Sequence, residues 1–208
     1  MQNPFNPESG IMKALSFVGD LVVLNLVFIV CCLPVVTIGA ATTGLNRVML
    51  KKVMGQDEGS LKPFFRTFRS SFRRATVMWL VFLTAVGLGW LGFRTIRANP
   101  DALPWFFGLG YSVIAALIGV TSVWVWPLEA QFDNTVPGTL KNALRLGIGY
   151  PLMSIVMLAL WLAPVLLFLF GTYWFLITSV VWFLFGFSGI AALNALLVKK
   201  KFMPFIGE

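Results

Sequence analysis

Apolar runs about as long as a bilayer is thick recur along this chain, and they are continuous rather than alternating. Nothing charged lies between Asp20 and Arg47, and further runs fill about 75–93, 111–127, 149–170 and 173–198. Spanning the hydrocarbon core takes about 20 mostly apolar residues as a helix, or about 10 alternating ones as a barrel strand. Every backbone N–H and C=O must find a partner within the protein there, so runs of this kind are helices. The expected fold is all-α: a polytopic transmembrane helical bundle of five or six membrane helices plus an amphipathic helix on the cytoplasmic surface. It forms a single integral membrane domain over residues 1–208. Composition agrees, with 58% hydrophobic residues, 12% charged and a mean hydropathy of +0.86, against roughly 45–50% and about 25% in soluble domains.

The net charge of +8 raises nucleic acid as a partner, but its distribution argues otherwise. Eight of the sixteen basic residues lie between Arg47 and Arg74, and Lys199, Lys200 and Lys201 close the last apolar run. Basic clusters in the short flanks of apolar helices set orientation in the membrane, so these flanks are expected in the cytoplasm and no nucleic-acid partner is expected. Cys31 and Cys32 sit side by side inside the first run, where a disulfide framework has nothing to join. The absence of histidine removes the commonest general base and metal ligand. The first residues lack the positive segment of a signal peptide, so the first helix is expected to be retained.

In order, residues 1–13 read as a polar tail and about Ala14–Leu33 as the first helix, with Asp20 and Asn25 as polar interruptions that should face protein. Pro34 ends or bends it. Thr37, Gly39, Ala40, Ala41, Thr42, Thr43 and Gly44 then supply a small-residue face suited to close helix packing. Val35–Met54 is either a short second membrane helix, giving six segments with both termini inside, or a non-spanning segment, giving five with the N-terminus outside. Six is preferred, because Lys13 is then also cytoplasmic.

The turn-rich loop 55–60 leads to Ser60, a candidate cap for a helix over 60–74. There Leu61, Phe64, Phe65, Phe68 and Phe72 recur at helical spacing, while Arg66, Arg69 and Arg73 take another face. Such a helix either lies on the membrane surface as an anchor or docks a partner. Four membrane helices fill 75–198, with an outer loop around Arg94–Asp101 and a cytoplasmic connection over Leu128–Arg145. Within that connection Thr139 is expected to cap a short helix ending near Leu146.

Asn25, Leu33-Pro34-Val-Val-Thr37-Ile-Gly39, the following Ala-Thr42-Thr43 and Gly44, a Gly-x-Asp/Glu loop, Phe-Phe-x-x-Phe at 64–68 and Phe132-Asp133-Asn134 together make a pattern covering most of the chain. It resembles the YesL-like family of bacterial integral membrane proteins. The chain departs from that family at Ala40, where proline is usual, and near Leu45-Asn46, where an aromatic pair is usual. The resemblance implies a helix-packing role for these residues. It also implies an accessory role in carbohydrate uptake, since family members are commonly encoded beside carbohydrate ABC importers in Gram-positive bacteria. It supplies no catalytic residues.

No Gly-x4-Gly-Lys-Ser/Thr phosphate loop is present. Glu129-Ala130 is superficially like the Glu-Ala-Ala loop of ABC permeases but lacks its downstream glycine. Glu129 and Asp133 are one helical turn apart with no third ligand, and are expected to satisfy backbone groups or Lys141 and Arg145. No catalytic residue, metal or cofactor is therefore expected. The expected function is that of a non-catalytic accessory membrane subunit of a carbohydrate ABC importer. It would contact permease subunits, with or without their ATPase and solute-binding protein, together with membrane lipids. The alternative is a stand-alone transporter or channel for a small solute, for which the Asp20/Asn25 face is the place to look.

Overall fold

The computed structural model describes residues 10–56, 58–98, 105–169 and 171–206, and these contain helices but no strand. In order they are α1 (Gly10–Cys32), a short 3-10 turn (Val35–Thr37), α2 (Ile38–Val53), α3 (Leu61–Ala98), α4 (Trp105–Gln131), α5 (Val136–Gly149), α6 (Pro151–Leu169), α7 (Thr172–Val181), a π turn (Trp182–Gly186) and α8 (Phe187–Ile206). The polar tail over 1–9 and the outer-loop residues Asn99, Pro100 and Asp101 lie outside the described residues.

α2 is the centre of the molecule. Every residue from Gly39 to Leu50 except Arg47 is buried, and α1, α3, α4 and α8 all pack on it. Small side chains make this possible, because backbones approach closely where nothing intervenes. A Cβ at Gly39 would stand 2.5 Å from the Ala75 carbonyl oxygen and 2.9 Å from Trp79 Cβ, and one at Gly44 would stand 3.1 Å from the Phe64 carbonyl oxygen. The polar members of the segment find partners in their own helix: Thr42 donates to Ile38 O (2.7 Å), Thr43 to Gly39 O (2.9 Å) and Asn46 Nδ2 to Thr42 O (2.8 Å). Each i−4 bond removes the desolvation cost that would otherwise bar these groups from a core.

Both ends of α2 are closed locally. Pro34 starts the turn into it, and the Thr37 hydroxyl lies 2.5 Å from Cys31 O and 2.6 Å from Pro34 O. At the other end Gly55 adopts φ +81°. Its N–H donates to Lys52 O and that of Gln56 to Lys51 O, the paired bonds of a Schellman stop. Lys199 Nζ, from α8, donates to Val53 O at 2.8 Å.

α1 runs back along α2, so Asp20 meets the C-terminal turn of α2. Lys52 Nζ is 2.7 Å from Asp20 Oδ2, and Ser60 donates to Oδ1 at 2.5 Å. Ser60, just ahead of α3, thus gives its hydroxyl proton to Asp20 while its oxygen keeps its acceptor capacity. Asn25 is fully buried; its Nδ2 donates to Trp182 O (3.1 Å) and Phe183 O (2.6 Å), and its Oδ1 accepts from Ser188 N (2.9 Å). Those are the backbone groups loosened by the π turn, which breaks the regular i−4 ladder.

Four helical segments are long and apolar enough to cross a membrane, at Leu15–Cys32, Leu61–Ala98, Phe106–Gln131 and Leu176–Phe202; α5 and α6, bent by 108°, make a fifth if counted as one span. α2, counted as a short membrane helix in the preferred six-segment reading, is not among these candidates although it runs back along α1. Its 16 residues reach about 24 Å at 1.5 Å each, short of a hydrocarbon core of about 30 Å, and they are enclosed by protein. A second expectation also changes. The amphipathic stretch 60–74 and the span beginning at Ala75 are one unbroken 38-residue helix, α3, because no glycine or proline interrupts the junction at Arg74-Ala75. Thr139 is not a cap, lying inside α5 after Thr135 at the N-cap position.

The Gly39 contact gives a sharp test. Gly39→Ala should lower the unfolding stability of the purified protein in detergent by about 1–3 kcal/mol, because the clash is with backbone. Gly19→Ala, where a Cβ meets nothing within 4 Å, should be neutral or slightly stabilising by helix propensity. Equal thermal midpoints for the two variants would refute the close-approach account.

Candidate functional site

The basic half of α3 presents two different faces. Phe64 and Ser71 are buried toward α2, and Ala75, Met78 and Phe82 continue that face. Phe65 and Phe72 are exposed, as are Arg66, Arg69 and Arg73, while Phe68 is half-buried. The expected common phenylalanine face is thus divided: a ladder of ring contacts runs from buried Phe64 to Phe68 (6.2 Å) and on to exposed Phe72 (5.8 Å), with Phe65 set edge-on to Phe64 at 5.3 Å. Residues 64, 68 and 72 drift about 40° per four-residue step at 100° per residue, which carries the ladder out of the contact with α2.

Arg74 turns away from the Arg66/Arg69/Arg73 stripe. Its Nε is 2.9 Å from Glu129 Oε1, an ionic contact without hydrogen-bond alignment at that oxygen. Its Nη2 donates to Asp133 Oδ1 at 2.9 Å and its Nη1 reaches Asn134 O at 3.3 Å. Thr139 completes the cluster by donating to Glu129 Oε2 at 3.2 Å, and the Glu129 side chain is wholly enclosed. Phe132 packs edge-on against Phe202 of α8 at 5.4 Å. The Phe132-Asp133-Asn134 corner therefore ties α3, α4, α5 and α8 together. Lys141 and Arg145, the expected partners of the two carboxylates, do not fill that role; Arg74 and Thr139 do.

Beside this corner is a polar cleft of about 620 Å³, walled by α2, the start of α3 and the end of α4. Arg47, Lys51, Lys62 and Arg66 line it together with Glu58, Glu129 and Asp133. Lys51 is ion-paired with Glu58, and its ammonium holds that carboxyl below the ordinary carboxylate range, so the pair stays ionised at neutral pH. Arg47 Nη1 donates to Ala130 O and Gln131 Oε1, both at 3.0 Å, which satisfies the carbonyl end of α4. Sequence reasoning missed Arg47, Lys51, Lys62 and Arg74 as site residues. Adjacency of Arg74 to Arg73 hid its different direction, although 100° per residue puts the two on separate faces.

Asp20 and Asn25, marked as the place to look for a solute path, are spent on internal partners. Pro34 and Thr37 form the α1–α2 turn, and Gly39, Thr42, Thr43 and Gly44 lie in the α2 core. Among the described residues no group of three or more His, Cys, Asp or Glu is placed to hold a metal ion.

Removing the cation from the corner should be costly. Arg74→Met, which leaves Glu129 enclosed without its ion partner, should destabilise the protein by about 2–3 kcal/mol, less than a fully buried pair because Arg74 is part-exposed. Adding Glu129→Met should restore much of the loss in chemical or thermal unfolding. An additive double variant would show that the two groups do not interact.

Residues 21–93, from α1 to near the end of α3, match a family model described as "Protein of unknown function, DUF624", which is the domain of the YesL-like family. No curated protein matches the chain, and no solved structure matches it.

Proposed function

We propose that this chain is a non-catalytic accessory subunit of a bacterial carbohydrate ABC importer, held in the cell membrane and contacting the permease subunits. The observation that carries the reading is the outward face of α3, where Phe65 and Phe72 stand exposed among Arg66, Arg69 and Arg73 while the opposite face of the same helix is fixed against α2. A rigid helix offering aromatic and arginine side chains forms a partner contact with little ordering cost. The importer association itself rests on what the resemblance to the YesL-like family implies, the match over residues 21–93 being to a domain of unknown function. A stand-alone transporter draws less support, since Asp20 is paired with Lys52 and Asn25 is consumed by the π turn.

Co-purification from native membranes at natural abundance tests the reading. The wild-type chain should bring down permease subunits. Phe65→Ser combined with Phe72→Ser should reduce their recovery by about tenfold, the loss of one aromatic anchor's worth of binding, with little change in thermal midpoint. Unchanged recovery would remove this face from the interface, and a chain that returns without permease would remove the importer reading.

The basic clusters at the helix flanks favour a cytoplasmic C-terminus. The Asp20–Lys52 and Asp20–Ser60 contacts bring the start of α1 beside the end of α2, which favours the same side for the N-terminus. A topology reporter fused ahead of Met1 should give a cytoplasmic signal; an external signal would require α1 to cross alone.

A further inference from the structure

We infer that the cleft between α2, α3 and the α4–α5 corner binds the phosphate ester of a polyol. That chemistry is shared by a soluble sugar phosphate and by the glycerol phosphate headgroup of an anionic phospholipid.

The charge pattern comes first. Lys51 is matched by Glu58, while Glu129 and Asp133 are taken by Arg74, which lies behind the cleft wall. Among the described residues that leaves Arg47, Lys62 and Arg66 lining the cleft without a direct ion pair, although the Glu58 carboxylate lies within electrostatic reach of Arg47 and Arg66; the hydrogen bonds of Arg47 go to the neutral acceptors Ala130 O and Gln131 Oε1. Three cations converging on one concavity repel one another, and an anion between them relieves that repulsion and gains charge-assisted hydrogen bonds. Lys62 stands in the first turn of α3, so the amide end of a long helix adds to the positive field.

Hydroxyl groups supply the second part. Thr67, Ser70 and Ser71 line the same wall. Ser71 is only 3% exposed and its hydroxyl makes no hydrogen bond among the described residues, yet that oxygen is not one of the fully enclosed polar atoms, so it is open to a ligand in the cleft that it lines. A bare inorganic anion leaves such donors and acceptors unused, whereas a polyol ester engages the cations through its phosphate and Ser71 through its hydroxyls. At about 620 Å³ the cavity has the volume of ordinary small-ligand sites, which run from about 300 to about 1,000 Å³.

The test uses the full chain in nanodiscs and two probes. Glucose 6-phosphate is titrated calorimetrically into phosphatidylcholine nanodiscs, and phosphatidylglycerol retention is counted by native mass spectrometry after reconstitution in a mixed bilayer. Each probe is run with Lys62→Gln/Arg66→Gln and with the charge-matched control Arg69→Gln/Arg73→Gln on the outward face. Saturable binding of either probe, weakened about tenfold or more by the first pair and left nearly unchanged by the second, supports the site and identifies its source as soluble or lipid. Equal weakening by both pairs would reduce the effect to surface charge and overturn the inference, as would saturable binding of neither probe. The Phe65/Phe72 variant separates the two readings, because it removes the partner contact without touching the cleft.

Discussion

The structure depends on how closely α2 and α3 approach. At Gly39 there is no room for a methyl group between the two helices, and at Gly44 there is scarcely any. In an apolar solvent the hydrophobic effect does little to press helices together, so association rests on dispersion contacts and on hydrogen bonds that lipid does not offer. Glycine and alanine on α2 maximise the first. Because α2 is then enclosed by α1, α3, α4 and α8, everything outside it is positioned by a short helix that is itself buried in protein.

The polar groups follow an inverted plan, with apolar side chains outward and selected polar ones within. Asn25 replaces the backbone partners lost at the π turn, and the Trp124 indole donates to Ser154 Oγ at 2.8 Å where α6 leaves the bent corner. Arg74 with Glu129 and Asp133 joins α3 to the end of α4. An unmet polar group in such surroundings is expensive. These contacts therefore decide which of several similar helix packings is adopted, more than they add net stability.

The same rigidity divides the labour of α3. Its inward face is consumed by α2, and the stretch before Arg74 is carried past the span without a hinge. Phe65 and Phe72 are thus held outward on a fixed rod, and Lys62 and Arg66 are held over a cleft whose far wall is α2 and the end of α4. The partner face and the ligand cleft are neighbouring products of one helix whose direction is set elsewhere.

The sequence by itself determined the all-helical class, the membrane setting and the small-residue packing segment, because those depend on run length, composition and local backbone preference. It also located the breaks at Pro34 and Gly55, where ring and glycine chemistry act within a few residues. It did not determine that α2 is enclosed: sixteen residues of mixed small and basic character are compatible with a lipid-facing or a protein-enclosed helix until their neighbours are known. Nor did it reveal that Phe64 and Phe65 part company, that Arg74 rather than Lys141 or Arg145 meets Glu129, or that Arg47, Lys62 and Arg66 share a cavity. Those are properties of helices crossing one another over separations such as 59 residues between Arg74 and Asp133. Helical periodicity fixes a residue's direction around its own axis, but only the tertiary structure decides what stands in that direction.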